Sequence, residues 1–263
     1  VGGAVSGQML AHSGVFGAAL ALATLLACVL GLLTLVRERP GERLLPWTRG
    51  EASRHAREAQ LHALRPLLGA ALGGLFAGHS LPFAAGIILI GLGGGLFLAM
   101  APALAVDGFG WTEADYGQVT GTASVVAAVL VATVVGWLAD RFGPRRLAVA
   151  MATSAAVLVG ATTLGAMSGA PLSGVFAAFV LVFICLETAS KACGGAVAMR
   201  LCRPEVAASQ FALYMACGNL GASMGGGLFG VLSASGGPGA ALPAIAGAFL
   251  GGALLYGLAR AGR

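Results

Sequence analysis

The sequence predicts an all-α membrane protein, and three observations carry that prediction. Of its 263 residues 58% are hydrophobic and only 10% are charged, whereas a domain covered by water uses about 25% charged residues. Seven apolar stretches are long enough to cross a hydrocarbon core about 30 Å thick, which takes roughly 20 helical residues. Arginines fall in every second connection between these stretches. A segment in lipid must satisfy its own backbone amides, so each stretch is expected to be a helix.

In chain order the spans are predicted over residues 14–36, 82–106, 116–139, 147–167, 171–199, 209–232 and 240–258. Lysine and arginine are retained in cytoplasmic loops. Arg37, Arg39, Arg43, Arg49, Arg54, Arg57 and Arg65 follow the first span; Arg141, Arg145 and Arg146 the third; Arg200 and Arg203 the fifth; Arg260 and Arg263 the seventh. The connections around His12, 107–115, 168–170 and 233–239 hold neither lysine nor arginine, and Asp107, Glu113 and Asp115 sit in one of them. These loops are expected outside and the C-terminus in the cytoplasm.

The basic run divides the chain into three parts: residues 1–36, the end of a preceding half; residues 37–81, a cytoplasmic linker; and residues 82–263, a six-span block. Within the linker, residues 51–75 are helix-compatible, with Leu61, Leu64, Leu67 and Leu68 at helical spacing and Arg54, Arg57 and Glu58 available for another face. That pattern predicts an amphipathic helix on the inner membrane surface. No basic flank precedes the first apolar run, so no signal peptide is expected, and the chain is expected to be a piece of a longer one. Six spans after a basic linker is the plan of the second half of a twelve-span transporter, each half built from inverted three-helix repeats.

Composition also excludes several classes. The net charge is +5, but the arginines lie in loops with no aromatic residues interleaved, so nucleic acid is not an expected partner. Cys28, Cys185, Cys193, Cys202 and Cys217 fall within or beside apolar runs without C-x-x-C spacing, and His12, His55, His62 and His79 are scattered. Neither a disulfide framework, a metal site nor a cofactor follows. A membrane-embedded enzyme would need a convergent catalytic set near the interface, and none is found. The reading is a transporter rather than an enzyme, with a non-transporting scaffold or sensor as the alternative.

The third span ends in Gly136-Trp137-Leu138-Ala139-Asp140-Arg141-Phe142-Gly143-Pro144-Arg145-Arg146. This resembles the G-x-L-x-D-R-x-G-x-R-R/K signature of the major facilitator superfamily at every fixed position, and identifies residues 82–263 as a six-helix second half. Gly136 would permit close helix contact and Gly143 a tight turn, while Arg141, Arg145 and Arg146 would hold the loop inside. The resemblance implies a cytoplasmic gate in which Asp140 meets the positive end of the helix starting near Ser209. Three further stretches, residues 37–47, 108–112 and 202–213, resemble the muropeptide permease and acetyl-coenzyme A transporter group. That group implies proton-coupled uptake of a bulky polar solute across a bacterial inner membrane, and related permeases take up siderophores. Muropeptide permeases carry a lysine and an aspartate where this chain reads Ile90-Gly91-Leu92-Gly93-Gly94-Gly95, which leaves the solute open between the two. The implied partners are a small solute, a proton, the lipid bilayer and the preceding half of the transporter.

Only Glu187 and Lys191 place full charges deep in a span. A charge at the bilayer centre costs at least about 2.5 kcal/mol, so such residues face an interior cavity and find partners. Their i, i+4 spacing puts them on one face and allows an ion pair. Either Glu187 is a proton site and Lys191 a contact for an anionic solute, or the two form a static pair that fixes packing. Asn219, near mid-depth of the next span, and Gln210 and Tyr214, nearer the cytoplasm, are either solute contacts or interhelical hydrogen bonds. Arg200 is either an inside-loop anchor or a gate partner. The glycine runs at 91–95, 194–195 and 225–227 serve either close helix packing or a flexible gate.

Overall fold

The structure, a computed structural model, describes residues 16, 17, 19–32, 64–78 and 80–259. Among them every regular element is helical. We label the elements α1 (Ala19–Leu32), α2 (Leu64–Leu75), α3 (Leu81–Gly108), α4 (Glu113–Phe142), α5 (Pro144–Met167), α6 (Phe176–Leu201), α7 (Ala207–Gly236) and α8 (Pro238–Leu258). The last six are each long and apolar enough to cross a membrane. The predicted span at 14–36 is described only in part, as α1, and residues 37–63 of the linker lie outside the described residues.

Local chemistry moves several boundaries. α4 starts earlier than predicted because Thr112 and Asp115 form a capping box: the Asp115 N–H donates to Thr112 Oγ1 at 3.1 Å, and the Thr112 N–H donates to the Asp115 carboxylate at 3.2 Å. Glu113 and Asp115, read as loop residues, therefore occupy a first helical turn, where negative charge is favoured. α6 starts later than predicted. A short 3-10 turn at Leu172–Gly174 occupies the first residues assigned to the span, after the predicted loop turns at Gly169 with φ +77°. Between α4 and α5 the chain reverses at Gly143, whose φ of +87° and ψ of +137° suit glycine alone, and Pro144 then opens α5.

The packing order reveals an internal symmetry. α3 packs against α7 and α8, while α6 packs against α4 and α5, and α5 packs against α8. Exchanging α3–α4–α5 for α6–α7–α8 maps this set of contacts onto itself, the relation expected of two three-helix repeats. Small residues bring the helices close. A Cβ at Gly95 would fall on the Ala222 carbonyl, and one at Gly221 on the Ile88 carbonyl. Between α3, α6 and α8 the core is aromatic: Phe97 stacks on Phe183 at 3.9 Å between centroids, and Phe183 meets Phe249 edge-on at 5.3 Å.

The connections separate into two ends. Arg145 Nη1 donates to the Ala259 carbonyl at 2.5 Å, and Phe142, Arg146, Arg200 and Leu201 line a cleft of about 320 Å³ beside that contact. At the other end Phe109 and Trp111 pack on Phe176, and 104–108 touches 238–241. The arginine-bearing turns thus share one end of the bundle and the arginine-free turns the other.

α2 is docked rather than lying free on a surface. Ala71, Gly74 and Leu75 are buried, α2 packs against α7, and the Gln210 carboxamide fills the space a side chain at Gly74 would need. Gln210 itself is fully buried. Its Oε1 accepts from the Arg203 N–H at 2.9 Å, and its Nε2 donates to the Leu201 carbonyl and the Tyr214 hydroxyl, both at 3.3 Å. Replacing Gln210 with methionine keeps the volume but strands the amide and carbonyl of the turn between α6 and α7. Each stranded buried group costs about 1–3 kcal/mol, so the thermal midpoint of the detergent-solubilised protein is expected to fall by several degrees. An unchanged midpoint would show that the turn does not depend on this staple.

Candidate solute site

α6 is 26 residues long, about 39 Å at 1.5 Å per residue, and Glu187 and Lys191 lie in its middle third. They form an ion pair with Lys191 Nζ 2.6 Å from Glu187 Oε1. The Glu187 side chain keeps 14% of its exposure and the Lys191 side chain 54%, so the carboxylate is sheltered while the ammonium reaches open space. Gly94 on α3 admits the pair: a Cβ there would land on Glu187 Oε1 and lie 3.3 Å from Lys191 Nζ.

Two adjoining clefts meet at Lys191. The first, about 340 Å³, runs between α3, α4 and α6 and is lined by Tyr116, Thr120, Ser124, Glu187 and Lys191 with Gly94 and Gly95. The second, about 220 Å³, runs between α3, α6, α7 and α8 and is lined by Lys191, Gly194, Asn219 and Tyr256 with Ile87 and Gly91. Ala222 borders both. Of the residues singled out in the sequence, Glu187 and Lys191 share the first cleft, and Lys191 and Asn219 the second.

Other candidates sit elsewhere. Gln210 and Tyr214 are buried beneath α2 and Phe83, outside both clefts. Arg200, Arg145 and Arg146 line the cleft at the arginine-bearing end. The Arg141 guanidinium lies 5.8 Å from the ring centroids of both Trp137 and Phe142. Two expectations for this motif are corrected. A Cβ at Gly136 would meet only the Val131 carbonyl at 3.7 Å, so Gly136 makes no close helix contact within this bundle; it closes the π-helical turn Val131–Val135 instead. Asp140 does not meet the start of α7. It is exposed and has no hydrogen-bond or ion-pair partner among the described residues, because α4 packs on α6 while α7 packs on α3 and α2.

Four polar lining residues, Tyr116, Thr120, Ser124 and Tyr256, are not singled out by the sequence. Tyr116, Thr120 and Ser124 recur every fourth residue along α4, a polar stripe that helical spacing reveals once it is sought. Tyr256 gives no such signal, being an isolated tyrosine near the end of an apolar span.

Six apolar helices packed as two exchangeable sets of three, with a charge pair at the middle of one helix and open clefts beside it, form the architecture of a membrane transporter. The chain belongs to the Major Facilitator Superfamily, whose family model matches residues 1–226. Members of that superfamily are membrane transporters. No curated protein and no solved structure matches the chain significantly.

Proposed function

We propose that this chain moves a polar, acid-bearing solute such as a muropeptide or a siderophore by proton-coupled alternating access. It works with a preceding half of the same transporter in a bacterial inner membrane, its arginine-bearing end and C-terminus in the cytoplasm. The observation that carries the reading is the Glu187–Lys191 pair, seated between two clefts at the middle of α6.

In the resting pair each charge satisfies the other. A proton arriving on Glu187 removes the negative charge and frees the Lys191 ammonium, which then takes the acidic group of the solute. One negative partner replaces another, so the buried charge stays balanced at each step. Binding of solute and proton is thereby linked, as symport requires. The turn carrying Asp140, Arg141, Gly143, Arg145 and Arg146 acts at the cytoplasmic gate, with the exposed Asp140 meeting an element outside this bundle as that side closes.

The test is uptake of labelled anhydromuropeptide and of a ferric siderophore by cells carrying the full-length protein. A proton carried with a monoanionic solute moves no net charge, so the pH difference drives the accumulation: one unit is worth about 1.4 kcal/mol, about tenfold. The native protein is expected to concentrate one of the two solutes, and a protonophore to abolish this. Glu187→Gln is expected to equilibrate that solute without concentrating it. Protonophore-sensitive accumulation persisting in Glu187→Gln would falsify the coupling role.

A further inference from the structure

We infer that the solute is an acid joined to a neutral body rich in hydroxyl or amide N–H groups, the acid held by Lys191, Asn219 and Tyr256 and the body lying along Thr120 and Ser124. This rests on the transport reading above and names the chemistry of its cargo.

The two clefts differ in hydrogen-bonding character. Around the second, the polar side chains are a lysine, an asparagine and a tyrosine, all able to donate, with no carboxylate among the lining residues. Tyr256 is the telling member. The residue is only 3% exposed, its ring stacks on Phe83 at 5.1 Å, and Gly86 lies close against the ring, so its orientation is fixed. Its hydroxyl lies beside Gly194, which lines the same cleft; a Cβ there would be 3.1 Å from that oxygen. The hydroxyl has no hydrogen-bond partner among the described residues. Among the described residues the buried hydroxyls without a partner are those of Ser80 and Ser190; the Tyr256 oxygen opens onto the cleft, where it can donate to a carboxylate placed beside Lys191 and Asn219.

The first cleft presents the opposite face. Thr120 Oγ1 donates to the Tyr116 carbonyl at 2.9 Å, and Ser124 Oγ donates to the Thr120 carbonyl at 2.8 Å. Each hydroxyl has spent its proton on its own helix and offers only lone pairs to the cleft. Glu187 adds a carboxyl group to the same wall. With Glu187 protonated when the acid sits on Lys191, as the transport reading requires, this wall adds a neutral carboxyl and the Tyr116 hydroxyl to those lone pairs, and it rewards a body bearing hydroxyls or amide N–H groups.

Equilibrium binding to the purified full-length protein, without a proton gradient, tests the inference with three small probes of matched chain length: gluconate carries acid and hydroxyls, hexanoate the acid alone, and sorbitol the hydroxyls alone. Labelled gluconate is expected to bind, with hexanoate and sorbitol competing at least about tenfold more weakly, since each lacks hydrogen bonds to charged or buried partners. Tyr256→Phe is expected to weaken gluconate and hexanoate alike by about tenfold. Thr120→Val with Ser124→Ala should weaken gluconate and leave hexanoate unchanged, which also reports that this variant is folded. The inference is overturned if gluconate does not bind the native protein, if either partial probe matches it, or if Tyr256→Phe binds normally. Coupling that persists in Glu187→Gln would overturn the coupling role and leave this binding pattern intact, so the two readings fail separately.

Discussion

Replacing Lys191 with methionine is expected to reduce uptake below detection and to lower the yield of folded protein, whereas Glu187→Gln combined with Lys191→Met restores the yield but not the uptake. The physics of the single variant is an uncompensated charge. Glu187 keeps 14% of its side-chain exposure and has Lys191, 54% exposed, as its ion-pair partner at 2.6 Å; stripping one member from a fully buried pair costs about 3–5 kcal/mol, and solvent at the half-exposed lysine reduces this to about 1–3 kcal/mol. The double variant removes that charge as well. Replacing both members of a buried pair by neutral groups of similar volume is often without cost, because desolvation of the two ions offsets their attraction. Stability should therefore return to within about 1 kcal/mol of native, read as the thermal midpoint in detergent. The two meanings left open by the sequence diverge at this variant. A static packing pair predicts a double variant that is both stable and active; a working pair predicts one that is stable and inactive. An active double variant would remove Glu187 and Lys191 from the transport cycle.

The bundle was legible in the sequence because lipid imposes a coarse rule. Each helix must be long, apolar and bounded by turns whose arginine content alternates, and those properties survive an error of a few residues at either end. The charge pair was legible for the same reason, since Glu187 and Lys191 stand alone against the cost of burying charge in α6. What the sequence withheld depends on which face a helix turns inward. Gln210 and Asn219 are polar residues on the same helix, yet Gln210 is buried in a staple with Arg203 and Leu201 while Asn219 borders a cleft. No property of either residue alone separates them. Asp140 shows a second limit. Its motif fixes the turn at Gly143, which the structure contains, but the partner of an exposed carboxylate depends on where other helices stand, and α7 packs on α3 and α2 while α4 packs on α6. The roles of Thr120 and Ser124 depend on where their protons go, which only the helix geometry decides.

The glycine run at 225–227 turns this dependence on facing into the sharpest stability prediction. The three residues are identical and adjacent, and all lie within α7, so the sequence assigns them one role. A Cβ at Gly225 would fall on the Leu92 carbonyl and lie 2.7 Å from the Leu96 amide nitrogen, both backbone atoms of α3. At Gly226 and Gly227 nothing stands within 4 Å of the added carbon. Gly225→Ala must therefore push α3 and α7 apart, because neither backbone can swing aside as a side chain could. Overpacking of this kind costs about 1–3 kcal/mol. Gly226→Ala and Gly227→Ala meet no such obstacle and gain up to about 1 kcal/mol each from the better helix propensity of alanine. Thermal midpoints of the three variants should thus split, one below native and two at or above it. Transport should follow the same division, since α3 carries Gly91 and Gly94 into the walls of both clefts and a displaced α3 widens the space around Lys191. Equal losses at all three positions would show that α7 does not approach α3 through Gly225, and the contact that shapes the second cleft would have to be redrawn.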